Sequence, residues 1–313
     1  MLERKRILVT GGAGFIGSHL AENLCANNDV VVLDDLSTGL EENISGFKGD
    51  VVFIKGDVRD DDVLGEAVRD ANFVFHCAAQ VSVERSVDNP VETNQINVEG
   101  TRKLLNRCKE AEVERLVFVS SSSVYGSDPE LPKREDMPLR PESPYAASKI
   151  MGEQHCRLYG KQYDLPIVIL RLFNVYGPRQ NASSPYASVI PRFISAILHD
   201  QKPTVFGDGK QTRDFVFIDD VVNALVRAAT TKEARGETLN IASGESTSIL
   251  DLLGVLGGIF DRRIDPRFTG ERPGDIRHSV ADITKAKSVL GFVPEVELAD
   301  GLRNVVDHSR TLL

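Results

Sequence analysis

Tyr145 and Lys149, in the run Tyr145-Ala146-Ala147-Ser148-Lys149, put a phenol and an ammonium four residues apart, which on a helix is one turn and one face. That pairing suits proton transfer. A phenol ionises near pH 10, so service as a base near neutrality asks for a pKa lowered by up to about three units, or about 4 kcal/mol of phenolate stabilisation, to which a nearby cation contributes. Upstream, Ser120-Ser121-Ser122-Ser123 ends the apolar run Leu116-Val117-Phe118-Val119. A serine hydroxyl beside the phenol can relay a proton or hold a substrate hydroxyl in line. The spacing Tyr-x-x-x-Lys is common on ordinary helices. Its meaning here comes from the serine-ended strand before it, because α/β sheets bind ligands beyond the carboxyl ends of their strands.

A second constellation lies at the start of the chain. Gly11-x-x-Gly14-x-x-Gly17 follows the apolar run Ile7-Leu8-Val9 and precedes a helical pattern of Ile16, Leu20 and Leu24. Glycine there lets a pyrophosphate approach the amides at a helix N-terminus, where the helix dipole also favours an anion. Asp34 ends the next apolar run, 17 residues after Gly17. An acidic residue at that place hydrogen-bonds the ribose diol of an adenosine and repels a 2′-phosphate, which favours NAD over NADP, and Asp35 beside it adds to the exclusion. Asp57 and Val58, after the third run, are placed to reach the adenine.

These groups must be positioned by a sheet. Val30–Leu33, Val51–Ile54, Phe73–Phe75, Leu116–Val119 and Ile167–Leu170 are continuous rather than alternating apolar runs, separated by stretches long enough for crossover helices. Continuous runs predict strands covered on both faces, hence an α/β, Rossmann-type, doubly wound parallel sheet. After Leu172 the chain turns to proline, glycine and aromatic punctuation. We therefore divide it into a dinucleotide-binding domain, residues 1–173, and a smaller α/β substrate-binding domain, residues 174–313. Segments near 211–241, including Phe215–Ile218 and Leu239–Ile241, are expected to return to the main sheet.

The whole chain has 313 residues, with 37 Lys and Arg against 46 Asp and Glu and a net charge of −9. Such a field repels phosphate backbones and anionic lipid, so nucleic acid is not an expected partner. Cys25, Cys77, Cys108 and Cys156 form no C-x-x-C pair, and no His/Cys/Asp cluster has metal-ligand spacing. A metal-free, reduced, cytoplasmic protein is expected. No apolar stretch reaches the roughly 18 residues of a membrane helix.

Over nearly its full length the sequence resembles the extended short-chain dehydrogenase/reductases, within them the UDP-glucose and UDP-N-acetylglucosamine 4-epimerases. The resemblance is carried by Thr10 to Gly17, Asp34-Asp35-Leu36-Ser37-Thr38-Gly39, His76 to Gln80, Asn97 to Thr101, Ser121 to Gly126, Tyr145 to Lys149, Arg171 to Pro178, Arg213-Asp214-Phe215 and Arg272-Pro273-Gly274-Asp275. It implies Tyr145 as catalytic base, Lys149 as its activating cation and ribose ligand, Ser121 as catalytic serine and Ser122 as a neighbour that also touches the sugar. It implies NAD contacts from Gly11, Gly14, Phe15, Ile16, Gly17, Asp34, Asp35, Ser37, Thr38, Gly39, Asp57, Val58, Ala78, Ala79, Gln80 and Asn97. For a UDP-sugar it implies Ser82, Val83, Ser123, Asn174, Val189 and Asp275, with Arg213 and Arg272 clamping the diphosphate. His76 is read as a packed histidine and not a catalytic one.

Within this resemblance the 4,6-dehydratases and uronate decarboxylases carry an acidic residue just after the catalytic serine, where this chain has Ser122 and Ser123. A UDP-glucuronate 4-epimerase shares the serine turn but typically has threonine at the place of Asn174, and is the alternative kept, with a reductase that releases its cofactor behind it. A non-catalytic NAD sensor is the alternative of a different class. Ser279 stands where glucose-restricted epimerases carry a bulky tyrosine, so room for an N-acetyl group is expected. The competing account is that Ser279 simply serves the helix beginning near Asp282 as a cap. A homodimer, formed by helices starting near Asn97 and Tyr145, is implied by the resemblance alone.

Overall fold

The computed structural model describes residues 2–47, 49, 51–181, 188–271 and 276–312. The first half runs β1 (Arg6–Thr10), α1 (Phe15–Cys25), β2 (Asp29–Asp34), β3 (Val51–Lys55), α2 (Asp61–Val68) and β4 (Phe73–His76). It continues through α3 (Val83–Asp88), α4 (Pro90–Asn94), α5 (Thr101–Glu110), β5 (Arg115–Ser121), α6 (Pro144–Tyr163), β6 (Ile167–Leu172) and β7 (Asn174–Tyr176). The remainder contains α7 (Val189–Leu198), β8 (Thr204–Phe206), β9 (Thr212–Arg213), β10 (Phe215–Phe217), α8 (Ile218–Thr230) and β11 (Thr238–Ile241). β12 (Thr247–Ser248), α9 (Ile249–Ile259), β13 (Arg267–Thr269), α10 (Thr284–Leu290) and α11 (Leu298–Thr311) close it.

Among the described residues, seven strands form one sheet in the order β3-β2-β1-β4-β5-β6-β11, and every neighbouring pair is parallel. The pleat explains the unbroken apolar runs. Ile7, Val9, Val30, Val32, Val117 and Val119 face one apolar cluster, completed by Leu20 and Leu24 of α1 and Val221 and Leu225 of α8. Leu8, Val31, Leu33, Leu116 and Phe118 face the other, completed by Leu64 of α2, Leu104 of α5 and Cys156 and Tyr159 of α6. The central strands are therefore covered on both faces, as a doubly wound sheet requires, whereas β3, expected to be covered as well, is the edge strand and leaves Val52 46% exposed. Burying a side chain such as Leu20 contributes about 1.5–3 kcal/mol. The strand order reverses between β1 and β4, and the crevice opens at their carboxyl ends.

Leu239–Ile241 joins this sheet, with Thr238 opposite Ile169 on β6. Phe215–Ile218 does not, contrary to the expectation from its apolar run. Both edges of β6 are taken, by β5 and β11, so β10 pairs instead with β7, Phe215 opposite Asn174. The C-terminal helices still share the first apolar cluster, through Phe193 and Ile194 of α7, Leu252 of α9 and Leu302 of α11.

Candidate active site

The turn after β1 is a backbone cradle. Gly11 has φ +66°, and a Cβ there would stand 2.7 Å from the Ala78 amide nitrogen. A Cβ on Gly17 would fall 2.2 Å from the Gly11 carbonyl oxygen, so a side chain at either place would force the turn away from β4. α1 starts at Phe15 and Ile16, both half-buried. Its N-cap, Gly14, offers no capping side chain, and no acidic residue occupies the first turn. Amides left uncapped at a helix start suit a pyrophosphate.

Asp34, 7% exposed, accepts the Ala13 amide at 3.0 Å and the Leu36 amide at 2.9 Å. Burial raises its pKa, and these amide bonds oppose the rise. The carboxylate thus ties the glycine turn to the loop carrying Ser37, Thr38 and Gly39, and its remaining lone pairs are available to a ribose diol. Asp35 is exposed and accepts the Ser37 amide at 2.9 Å. Asp57, half-buried beside buried Val58, is held by Arg59, whose bonds lower its pKa. The cradle and the acidic residue together fit a dinucleotide of the NAD type.

Beyond β4, Ala78 and Ala79 are half-buried. Gln80 is shaped by Asn97, which accepts the Gln80 amide at 2.8 Å and donates to its carbonyl at 2.9 Å. Asn97 also donates to the Ser148 hydroxyl at 2.9 Å. The Asn97 amide, expected among the cofactor contacts, joins the Gln80 loop to α6. Ser82 caps α3 through the Arg85 amide at 3.0 Å, and Val83 behind it is exposed. His76 bridges Thr10 at 2.7 Å and Thr101 at 2.9 Å, and burial lowers its pKa to about 3. It is a neutral packing residue.

Tyr145 sits in the first turn of α6, its amide donating to the Ser86 hydroxyl at 3.1 Å. Its phenol faces Ser121, at the end of β5, which acts to lower the phenol pKa. Ser121 in turn accepts the Ser123 amide at 3.2 Å, which sets a tight turn beginning at Ser122. The Ser123 hydroxyl is buried without a partner. Lys149, 4% exposed, donates to the Val119 carbonyl at 3.0 Å and lies 6.0 Å from the centroid of the Tyr145 ring. Burial lowers its pKa to about 8. The sequence-based expectation of a lowered phenol is not met by the chain's own groups: burial raises the Tyr145 pKa, and of the side chains only Ser121 acts against it.

On the opposite side, Asp214 gathers three segments. It is fully buried and accepts the Ser243 amide and hydroxyl at 2.8 and 2.7 Å and the Gly244 and Ala281 amides at 3.1 Å. Its own carbonyl accepts the Asn174 amide at 3.1 Å. Asn174, Arg213 and the segment holding Ser279 are thereby brought together. The Ser279 amide donates to the Thr212 carbonyl at 3.2 Å, and Ser279 is 8% exposed. It caps no helix, since the N-cap of α10 is Ile283. Val189 opens α7, half-buried against the first apolar cluster. Arg272 and Asp275 lie outside the described residues.

The sequence assigned no role to Asp214 or Arg171, which appear only within matching segments, and did not mark Glu153. A signal for Arg171 was available: an arginine inside the apolar run Ile169-Leu170-Arg171-Leu172 demands a buried counter-charge. That counter-charge is Glu153. No group of three or more His, Cys, Asp or Glu among the described residues could hold a metal ion. The four cysteines are free, and no helix of the described residues is long and apolar enough to cross a membrane.

Comparison with known proteins gives the lineage. Residues 7–242 match the model of the NAD dependent epimerase/dehydratase family. The UDP-glucose 4-epimerase of Mycolicibacterium smegmatis is 42% identical over 310 residues, covering 97% of this chain and 98% of that one. The solved UDP-N-acetylglucosamine 4-epimerase of Methanobrevibacter ruminantium, in complex with UDP-N-acetylmuramic acid, superposes with TM-score 0.96 at 38% identity over 100% of both chains. The UDP-glucuronic acid 4-epimerase of Bacillus cereus, in complex with UDP-glucuronic acid and NAD, gives TM-score 0.92 at 37% identity over 98% of this chain and 100% of that one. The family match over residues 7–242 and relatives of this identity over nearly the whole chain show that the chain belongs to the NAD-dependent epimerase/dehydratase family.

Proposed function

We propose that this enzyme interconverts UDP-hexoses epimeric at C4, with UDP-GlcNAc/UDP-GalNAc and UDP-glucose/UDP-galactose as the candidate pairs, and works in the cytoplasm on NAD that it does not release. The observation that carries the reading is the placement of Tyr145 against Ser121 at the end of β5, followed by Ser122 and Ser123 with no acidic side chain. Acid chemistry beyond removal and return of one proton has no residue to perform it there. Tyr145 takes the proton of the C4 hydroxyl, Ser121 holds that hydroxyl in line, and Lys149 supplies positive charge beneath the phenol. Arg213 meets the diphosphate, which overrides the negative field of the chain locally. The glycine cradle and Asp34 would hold NAD, which would supply reversible hydride chemistry at C4.

Incubation of the purified protein with each UDP-sugar, without added cofactor, tests this. Conversion without accumulation of reduced nicotinamide is expected; stoichiometric reduction would make it a dehydrogenase. Turnover of UDP-glucuronate alone would favour the uronate reading, to which the Bacillus cereus neighbour lends support. Tyr145→Phe should lower turnover by about two to four orders of magnitude while NAD stays bound. A sensor would keep its function through that change.

We also propose a homodimer. α3 and α4 pack on α6, and this neighbourhood exposes Val87 at 61%, Val91 at 66%, Met151 at 46% and Leu158 at 50%. Met151 and Leu158 stand two turns apart on one face of α6, away from Tyr145 and Lys149.

A further inference from the structure

Glu153 stands one helical turn beyond Lys149 on α6 and is fully buried. One of its carboxylate oxygens accepts the Ser120 hydroxyl at 2.7 Å and Arg171 Nε at 2.9 Å. The other accepts Arg171 Nη2 at 2.8 Å and Arg157 Nη2 at 3.1 Å. Arg171 continues to the Tyr125 hydroxyl at 2.9 Å, which donates to Asn240 at 2.6 Å. A carboxylate is therefore built into the apolar layer behind the proton-transfer pair, with every oxygen engaged.

We propose that Glu153 is a positioning residue of the reaction, a buried carboxylate that keeps Lys149 in its charged form and, through Ser120, fixes the neighbouring Ser121 against Tyr145. This rests on the epimerase reading of the Tyr145 site. The groups facing Lys149 leave Glu153 as the source of negative charge. On its own helix these are Tyr145, Glu153 and Cys156; from β4 they are His76 and Cys77; from β5 they are the Val119 carbonyl and the Phe118 ring. Cys77 and Cys156 also favour the charged lysine, but burial raises Cys77 to about 12 and Cys156 higher still, so both are neutral thiols near pH 7. His76 is neutral as well. Of this ion pair, Glu153 raises the proton affinity of Lys149, and Arg171 is not among the charges acting on it.

The test uses the holoenzyme. Glu153→Gln keeps the side-chain shape and removes the charge. The alkaline limb of the kcat profile, which reports loss of the Lys149 proton, should move down by about one pH unit, a tenfold change in proton affinity. Ultraviolet titration of the Tyr145 phenolate, taken as the difference from Tyr145→Phe, should move up. Glu153→Asp should return both toward wild type. A uniform fall in kcat with neither titration moved would overturn the proposal and leave Glu153 a structural residue. If Glu153→Gln fails to fold with Arg171 unpaired, Glu153→Gln/Arg171→Met removes both buried charges; its alkaline limb should still lie below wild type, and an unmoved limb overturns the proposal. The phenolate titration needs no sugar. A wild type inert on every UDP-sugar would therefore sink the functional reading while leaving this one measurable.

Discussion

Asp34 holds its loop through one carboxylate, and the cofactor selection we propose for it can be separated from that task. It accepts the Ala13 and Leu36 amides, so its removal as alanine would lose loop geometry together with charge. Asp34→Asn keeps an acceptor oxygen and discards the repulsion of a 2′-phosphate. The ratio of NADP to NAD affinity should rise about tenfold or more by calorimetry; an unchanged ratio would move cofactor choice elsewhere. Ser279 is the second residue at which one side chain decides. Its amide is held by the carbonyl of Thr212, the residue before Arg213, and we propose that a serine here leaves room that a tyrosine would fill and that a rotating keto-sugar with an N-acetyl group would sweep. Ser279→Tyr should lose UDP-GlcNAc turnover selectively while UDP-glucose turnover persists. A wild type inert on UDP-GlcNAc would end the argument from space.

Elements meet at His76, where one imidazole ties β1, β4 and the start of α5 through Thr10 and Thr101. Burial holds its pKa at about 3 against an ordinary 6.5. The unfolded chain therefore binds a proton that the folded chain refuses. Stability from this site is complete above pH 6.5 and is lost progressively as pH falls toward 3. Between pH 7.5 and 5 the loss should be about 2 kcal/mol. Denaturant unfolding of wild type and His76→Gln at those two pH values measures it. The variant starts less stable, having traded its two ring bonds, but its dependence on pH should be flatter. Parallel slopes would show that the buried imidazole is not the source.

For the whole molecule the open question is the exposed apolar surface around α3, α4 and α6. A specific dimer typically buries about 1,200–2,000 Å², and a charge at the centre of such a patch is left desolvated and unpaired. Met151→Glu should convert the dimer to monomer in sedimentation at micromolar concentration. Met151 points away from the catalytic face of α6, so the monomer should keep bound NAD. A wild type that already sediments as a monomer would remove the proposal.

The sheet, the glycine cradle and the Tyr145–Lys149 pair were readable from the sequence, because each depends on contacts near in the chain. Apolar runs show that strands are covered, glycine spacing shows where backbone must approach a ligand, and four residues make one helical turn. Asp214 and Glu153 were missed because their partners lie far away, Ala281 and Ser243 for the one and Ser120 and Arg171 for the other. Strand partnership was likewise a tertiary matter. Phe215–Phe217 has the apolar character of a sheet strand, yet pairs with β7 because β11 had taken the free edge of β6. Proton affinities followed the same division: sequence places an ammonium near a phenol, but the low polarity around Tyr145 and Lys149 raises one and lowers the other. Residue type and local spacing determined which groups could react; edge availability, long-range partners and desolvation, which exist only once the chain is folded, decided how those groups are held and charged.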